Sequence, residues 1–243
     1  YQRELIESER SAALGTMASM LAHDLRGPMT VIRGYAETFL EPSITLEEVR
    51  TRAEVITQMV DRLDRMATET LDFARGGGQL ARRTVDLAEV LAAIAAGVER
   101  EIAGLEVQRE LSVPAATSAS LDIDKLQRAI TNIAANARDA MGGVGRFFFA
   151  ARVETTVEPP SDPPPPRLVL RLADEGPGIA AEVREHLFEP FVSFGKKRGT
   201  GLGLAVARHF VESHGGILTL DEPWRSSQGA CFRIVLPLGG AAS

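Results

Sequence analysis

The chain has 243 residues, 44% of them hydrophobic and 25% charged, a composition that supports a buried core and suits one large or two modest soluble domains. Its formal net charge of −6 provides no global basic field, which argues against general nucleic-acid or anionic-membrane binding and makes any anion site a local one. The single cysteine, Cys231, excludes a disulfide framework and a cysteine-rich zinc site; it reads as a small buried apolar residue and fits a reducing, cytoplasmic compartment.

No stretch approaches the roughly 20 uninterrupted apolar residues of a membrane span, so no membrane contact is expected of these residues. The chain opens mid-pattern at Tyr1-Gln2-Arg3-Glu4-Leu5 without an initiator methionine, which points to a piece of a longer polypeptide with its input module elsewhere. Residues 1 to about 40 read as one helix, because Leu14, Met17, Leu21, Leu25, Pro28, Ile32, Tyr35 and Phe39 recur every three or four positions. Pro28 is expected to kink it. After Glu41-Pro42-Ser43, Thr45 is a candidate N-cap followed by Glu47 and Glu48. A second helix then carries Val49, Ala53, Ile56, Val60, Leu63, Ala67, Thr70 and Ala74 at alternating steps of four and three, a heptad seam. Gly76-Gly77-Gly78 ends it. Two such helices make an antiparallel hairpin that cannot bury its stripe alone, so a four-helix bundle in a homodimer is expected.

Beyond Gly78 the pattern becomes α+β. A short strand from residue 84, a helix over Leu87–Ala103, a strand at Glu106–Leu111 and a helix over Asp124–Met141 come first. Strands at Phe147–Val157 and Arg167–Leu172 are expected to be neighbours, separated by a stiff exposed loop at residues 159–166, six of which are proline. The chain ends with a helix over Leu202–Ser213 and strands at Gly216–Asp221 and Ala230–Leu236. The expected domains are residues 1–78, a linker at 79–83, and residues 84–243.

His23 falls two residues past Leu21, on the solvent face of the bundle, where a histidine is ordinarily just surface. Its neighbours change that reading. Asp24 can accept the ring Nδ1 proton and leave Nε2 as a nucleophile, and Arg26 adds a nearby positive charge. The string His23-Asp24-Leu25-Arg26-Gly27-Pro28-Met29-Thr30 resembles the H box of sensor histidine kinases, His-Glu/Asp-Leu-Arg-Thr/Asn-Pro-Leu. That resemblance implies His23 as phosphoacceptor, with Asp24 and Arg26 as its catalytic neighbours. Gly27 departs from the pattern: members that dephosphorylate their partner usually carry Thr or Asn there, so weak or absent phosphatase activity is expected.

Four further strings are weak singly and informative in order. Asn132-Ile133-Ala134-Ala135-Asn136-Ala137-Arg138-Asp139-Ala140 puts two amides on one helical face, either solvated or offered as hard oxygen ligands to Mg²⁺. Asp174-Glu175-Gly176-Pro177-Gly178-Ile179 is a turn in which a carboxylate can accept an adenine amino hydrogen. Phe188-Glu189-Pro190-Phe191 suits core packing equally well. Gly199-Thr200-Gly201-Leu202-Gly203-Leu204 opens a helix whose N–H groups can hold phosphate.

In this order the strings resemble the N, first glycine, F and second glycine boxes of the Bergerat (GHKL-type) ATP-binding fold, an α/β sandwich, over residues 84–238. The resemblance implies Asn136 as the Mg²⁺ ligand, Asn132 beside the phosphates and Asp174 as the adenine reader. Gly176 and Gly178 then shape the base pocket, Val192–Arg198 forms a lid, and Gly201 and Gly203 border the phosphates. Lys196, Lys197 and Arg198 are phosphate partners in this reading, and Asp139, Ile179, Gly199, Thr200 and Leu202 complete the nucleotide set. Ala230 replaces a usual Thr, so reduced ATP affinity is expected. His186, His209 and His214 read as structural, His214 with a partly charged ring at a helix C-terminus. The implied function is ATP-dependent autophosphorylation of His23 and transfer to an aspartate of a response-regulator receiver domain. The alternatives are a Bergerat ATPase without histidine chemistry and a nucleotide-binding pseudokinase scaffold.

Overall fold

The computed structural model describes residues 22, 24–74, 80–155, 166–190, 192, 201–225 and 228–238. The chain divides into two compact units, Tyr1–Arg75 and Gly76–Ser243.

In the first unit, residues 24–38 form helix α1, which stays helical through the buried Pro28. Leu25, Ile32, Tyr35 and Phe39 are half-buried, as the three-and-four spacing predicts. A turn follows, with the N–H groups of Phe39, Leu40 and Glu41 reaching back three residues, and helix α2 runs over Leu46–Ala74. Its start is a capping box: Glu48 N–H donates to Thr45 Oγ1 at 3.2 Å, and Thr45 N–H donates to Glu48 Oε2 at 2.9 Å. The Thr45 N–H foremost, and then the Thr45 hydroxyl donating to the same carboxylate oxygen at 2.9 Å, hold the Glu48 carboxyl below its usual range.

The heptad seam is only partly buried. Ile56 and Leu63 are half-buried, Val60 is 50% exposed, and Met66, outside the seam, is buried at 4%. The stripe that one chain covers by itself is therefore offset from the heptad positions, and it leaves Val60 and Leu71 on the surface.

In the second unit, strand β1 (Arg83–Asp86) pairs antiparallel with strand β3 (Ser118–Leu121) as a two-stranded ribbon. Helix α3 (Leu87–Glu101) begins where the Asp86 carboxylate accepts the N–H groups of Ala88 and Glu89 at 2.9 and 3.1 Å. Strand β2 (Glu106–Ser112) follows, and helix α4 (Ile123–Ala140) starts at the buried cap Asp122. Strands β4 (Arg146–Glu154) and β5 (Arg167–Asp174), a single helical turn α5 (Ala181–Arg184), helix α6 (Gly203–Ser213), and strands β6 (Ile217–Asp221) and β7 (Cys231–Pro237) complete the unit.

The main sheet has the order β2-β4-β5-β7-β6, with β2 parallel to β4 and the other pairs antiparallel. Period-two alternation gives its strands β4, β5 and β7 a buried face, with Phe147, Phe149, Leu168, Leu170, Leu172, Ile234 and Leu236 all at 0% exposure. Leu91, Ile94, Val98, Ile130 and Phe210 supply the matching apolar sides of α3, α4 and α6. Burying each such side chain contributes roughly 1.5–3 kcal/mol.

Candidate active site

Strand β5 ends at Asp174, which is 6% exposed. Its Oδ1 accepts the N–H of Gly176 at 2.8 Å and the N–H of Ala230 at 3.3 Å, and its own N–H donates to the Ala230 carbonyl at 3.0 Å. Two donors on one oxygen fix the plane of the carboxylate. The backbone must come very close for this. A Cβ built at Gly176 would lie 2.8 Å from Asp174 Oδ1, and one at Gly229 (φ +106°) would lie 1.8 Å from the Asp174 carbonyl oxygen. Gly178 lies against the Gly229 carbonyl, and Ile179 follows it.

Helix α4 connects this turn to the start of α6. The Asn132 amide donates to the Gly203 carbonyl at 3.1 Å. A Cβ built at Gly203 would lie 3.8 Å from both the Asn132 Cβ and the Asn136 Nδ2. At the other end of α4, Ala140 and Met141 meet the Gly176 turn, with Met141 Cγ 3.3 Å from the Cβ position. The N-cap of α6 is Leu202, which supplies no side-chain cap to the first N–H groups. One helix thus holds a pair of amides against a helix N-terminus and a methionine against the turn carrying the fixed carboxylate. Met141 was not singled out from the sequence. Its signal was there, since it directly follows the amide-bearing string at the helix end.

The structure therefore brings together Asn132, Asn136 and Gly203 on one side, and Asp174, Gly176, Gly178 and Ile179 on the other; Gly201 and Leu202 precede Gly203. Asp139 is exposed, 3.5 Å from the Arg138 guanidinium. His23 and Lys196, Lys197, Arg198, Gly199 and Thr200 lie outside the described residues, as does most of the Val192–Arg198 segment. Asp24 is half-buried and Arg26 exposed on α1.

At the rim, Arg146 Nε donates to Glu175 at 2.9 Å, and this bond holds the Glu175 carboxyl below its usual range. Phe188 meets Phe232 edge-on at 6.3 Å, the packing role that was its ordinary reading. His214 corrects an expectation. Its ring is 3% exposed, its Nδ1 lies 2.7 Å from the Phe210 carbonyl, and its Nε2 accepts the Asp122 N–H at 3.1 Å. An acceptor nitrogen carries no proton, and desolvation pushes the ring below its usual pKa. His214 is a neutral brace between the start of α4 and the end of α6, not a partly charged cap. Cys231 is fully buried as expected, and desolvation raises its thiol to about 11.

The donor set fits a magnesium nucleotide. Amide oxygens suit a hard divalent cation, a helix start with no side-chain cap from Leu202 suits phosphate, and a plane-fixed carboxylate in a glycine turn suits a flat base bearing an amino group. Among the described residues no cluster of three or more His, Cys, Asp or Glu could hold a metal.

Comparisons with known proteins agree with this architecture. A family model described as His Kinase A (phospho-acceptor) domain matches residues 13–79, and one described as Histidine kinase-, DNA gyrase B-, and HSP90-like ATPase matches residues 121–240. The sensor histidine kinase ZraS of Klebsiella oxytoca is 32% identical over 98% of this chain, and the chain spans 49% of that protein, about half its length. The solved structure of the mycobacterial sensor histidine kinase MprB is 30% identical, with a TM-score of 0.51 over 65% of this chain and 97% of that one. The histidine kinase ThkA, solved in complex with the response regulator protein TrrA, shares the fold at 21% identity, with a TM-score of 0.71 over 98% of this chain and 66% of that one. An amide-bearing helix set against a glycine turn, the shared fold and the two matched domains together establish that this chain belongs to the sensor histidine kinases.

Proposed function

We propose that this chain autophosphorylates His23 from Mg²⁺-ATP and passes the phosphoryl group to an aspartate of a response-regulator receiver domain. The observation that carries the proposal is the double junction made by α4: amides at the start of α6, and the helix end against the Asp174 turn. ATP supplies the γ-phosphoryl group, and the metal spreads its developing charge.

The chain's own residues do the positioning. Asp174 accepts the adenine amino hydrogen, Met141 and the Gly176–Ile179 turn wall the base, and Asn136 holds the metal with Asn132 beside it. Gly201, Leu202 and Gly203 offer backbone N–H groups to phosphate, with Asp139 and the segment Lys196–Thr200 completing the site. On the helical unit, Asp24 holds the Nδ1 proton of His23 so that Nε2 attacks, and Arg26 offsets charge on the incoming phosphate.

In this reading residues 1–78 form the dimerising phosphoacceptor hairpin, 79–83 a linker and 84–243 the nucleotide domain. A reaction that consumes ATP fits the cytoplasm. Among the described residues no helix is long and apolar enough to cross a membrane. With Gly27 in place of Thr or Asn, phosphatase activity is weak or absent.

Incubation with γ-labelled ATP and Mg²⁺ tests the proposal. Acid-labile, alkali-stable label on the protein, lost in both His23→Ala and Asn136→Ala, is the expected result. Hydrolysis of ATP with no label on protein would instead indicate a plain ATPase.

A further inference from the structure

Trp224 is the only tryptophan in the chain, and it lies in the segment joining β6 to β7. It packs against a small cluster of Phe148, Ala173 and Cys231. Those three residues form one rung across three strands, because Phe148 pairs with Ala173 and Ala173 with Cys231. They alternate with Phe147, Leu172 and Phe232, so the rung belongs to the sheet face opposite Phe147 and Leu172. Trp224 is held there from several directions. Phe148 meets it edge-to-face at 6.3 Å, and the guanidinium groups of Arg171 and Arg225 stand 5.7 and 4.8 Å from its ring. Arg225 is ion-paired to Glu110 on β2, so the segment is tied to the far edge strand as well.

The next residues beyond that rung are Asp174 on β5 and Ala230 before β7. These are the two residues that exchange N–H···O bonds at the base turn, with Gly229 passing over the Asp174 carbonyl. A strand end is held by the rung before it, and here that rung is covered by one indole. We propose that Trp224 is a positioning residue for base recognition: by clamping the Phe148–Ala173–Cys231 rung, it holds Ala230 and Asp174 in register so that the carboxylate stays aimed at the exocyclic amine of adenine. The inference rests on the reading of Asp174 as the adenine reader.

The test is titration of the full chain with ATP and with inosine triphosphate, both with Mg²⁺, by calorimetry. Inosine triphosphate carries a carbonyl where adenine carries the amine, so the ratio of the two affinities reports the carboxylate's aim. Trp224→Ala is expected to weaken ATP about tenfold and inosine triphosphate by less than about twofold, a charge-assisted hydrogen bond being worth at least that ratio. Trp224→Phe, which restores an aromatic ring on the rung, is expected to recover most of the preference. Equal weakening of both nucleotides, or an unchanged ratio, overturns the proposal. If Trp224→Ala does not fold, Trp224→Leu, which fills part of the space but loses the ring contacts with Phe148, Arg171 and Arg225 that clamp the rung, is held to the same outcomes. Asp174→Asn separates the two claims. If it keeps the ATP preference, the reading of Asp174 fails and takes the inference with it; if it loses the preference while the Trp224 variants keep theirs, only the inference fails.

Discussion

The backbones of Asp174 and Gly229 meet so closely that position 229 admits no side chain. In Gly229→Ala the new methyl would fall 1.8 Å from the Asp174 carbonyl oxygen at a φ of +106°, a conformation that disfavours any side chain. The expected cost is roughly 2–4 kcal/mol of stability, read by urea unfolding, together with loss of nucleotide binding. His214 gives a second test at this scale. Its folded pKa is lowered, first by desolvation and further by the Arg82 charge, while its contacts with Phe210 and Asp122 act the other way. The unfolded chain therefore takes up the proton at higher pH. The stabilisation from the neutral ring is present above about pH 6.5 and is lost as pH falls toward the lowered folded value. The melting temperature is expected to drop between pH 7 and 5, and His214→Gln to flatten that slope. His186 has the opposite sign, since Glu189 raises its pKa; its contribution is present at low pH and lost as pH rises. The ring is exposed, so His186→Ala is expected to leave the slope as it is.

Helices, strands and turns were legible to different degrees, for physical reasons. The Thr45 cap was read from three residues and stands as a reciprocal box; Thr45→Ala is expected to lower the stability of the helical unit by about 1 kcal/mol, measured by thermal unfolding. Strand β3 was not foreseen, because Ser118-Ala-Ser-Leu has little β-propensity and is held only by β1. The one-turn α5 was missed because four residues carry no period. The heptad seam was read as spacing for a two-chain bundle, and a single chain covers Met66 and leaves Val60 half exposed. The glycine turn and the amide pair were visible as strings, since their chemistry is local. The bonds that Ala230 makes to Asp174 were not visible, since they cross 56 residues of sequence through sheet register.

At the scale of the molecule, the helical unit carries exposed Leu46, Val60 and Leu71 along α2, apolar surface that a second copy would cover. Light scattering is expected to give a mass near twice 26.2 kDa, and a Val60→Glu variant a mass near one chain. The function proposed divides the chemistry between the two units, a nucleotide pocket in one and a phosphoacceptor helix in the other, and so requires both. The most direct test of that dependence is to map the phosphoryl group after reaction with Mg²⁺-ATP, by tandem mass spectrometry under alkaline conditions. The account predicts a single phosphohistidine at His23, absent when Asp174 is replaced by Asn. Phosphate on any other residue, or phosphate at His23 that survives loss of the Asp174 carboxylate, would contradict it.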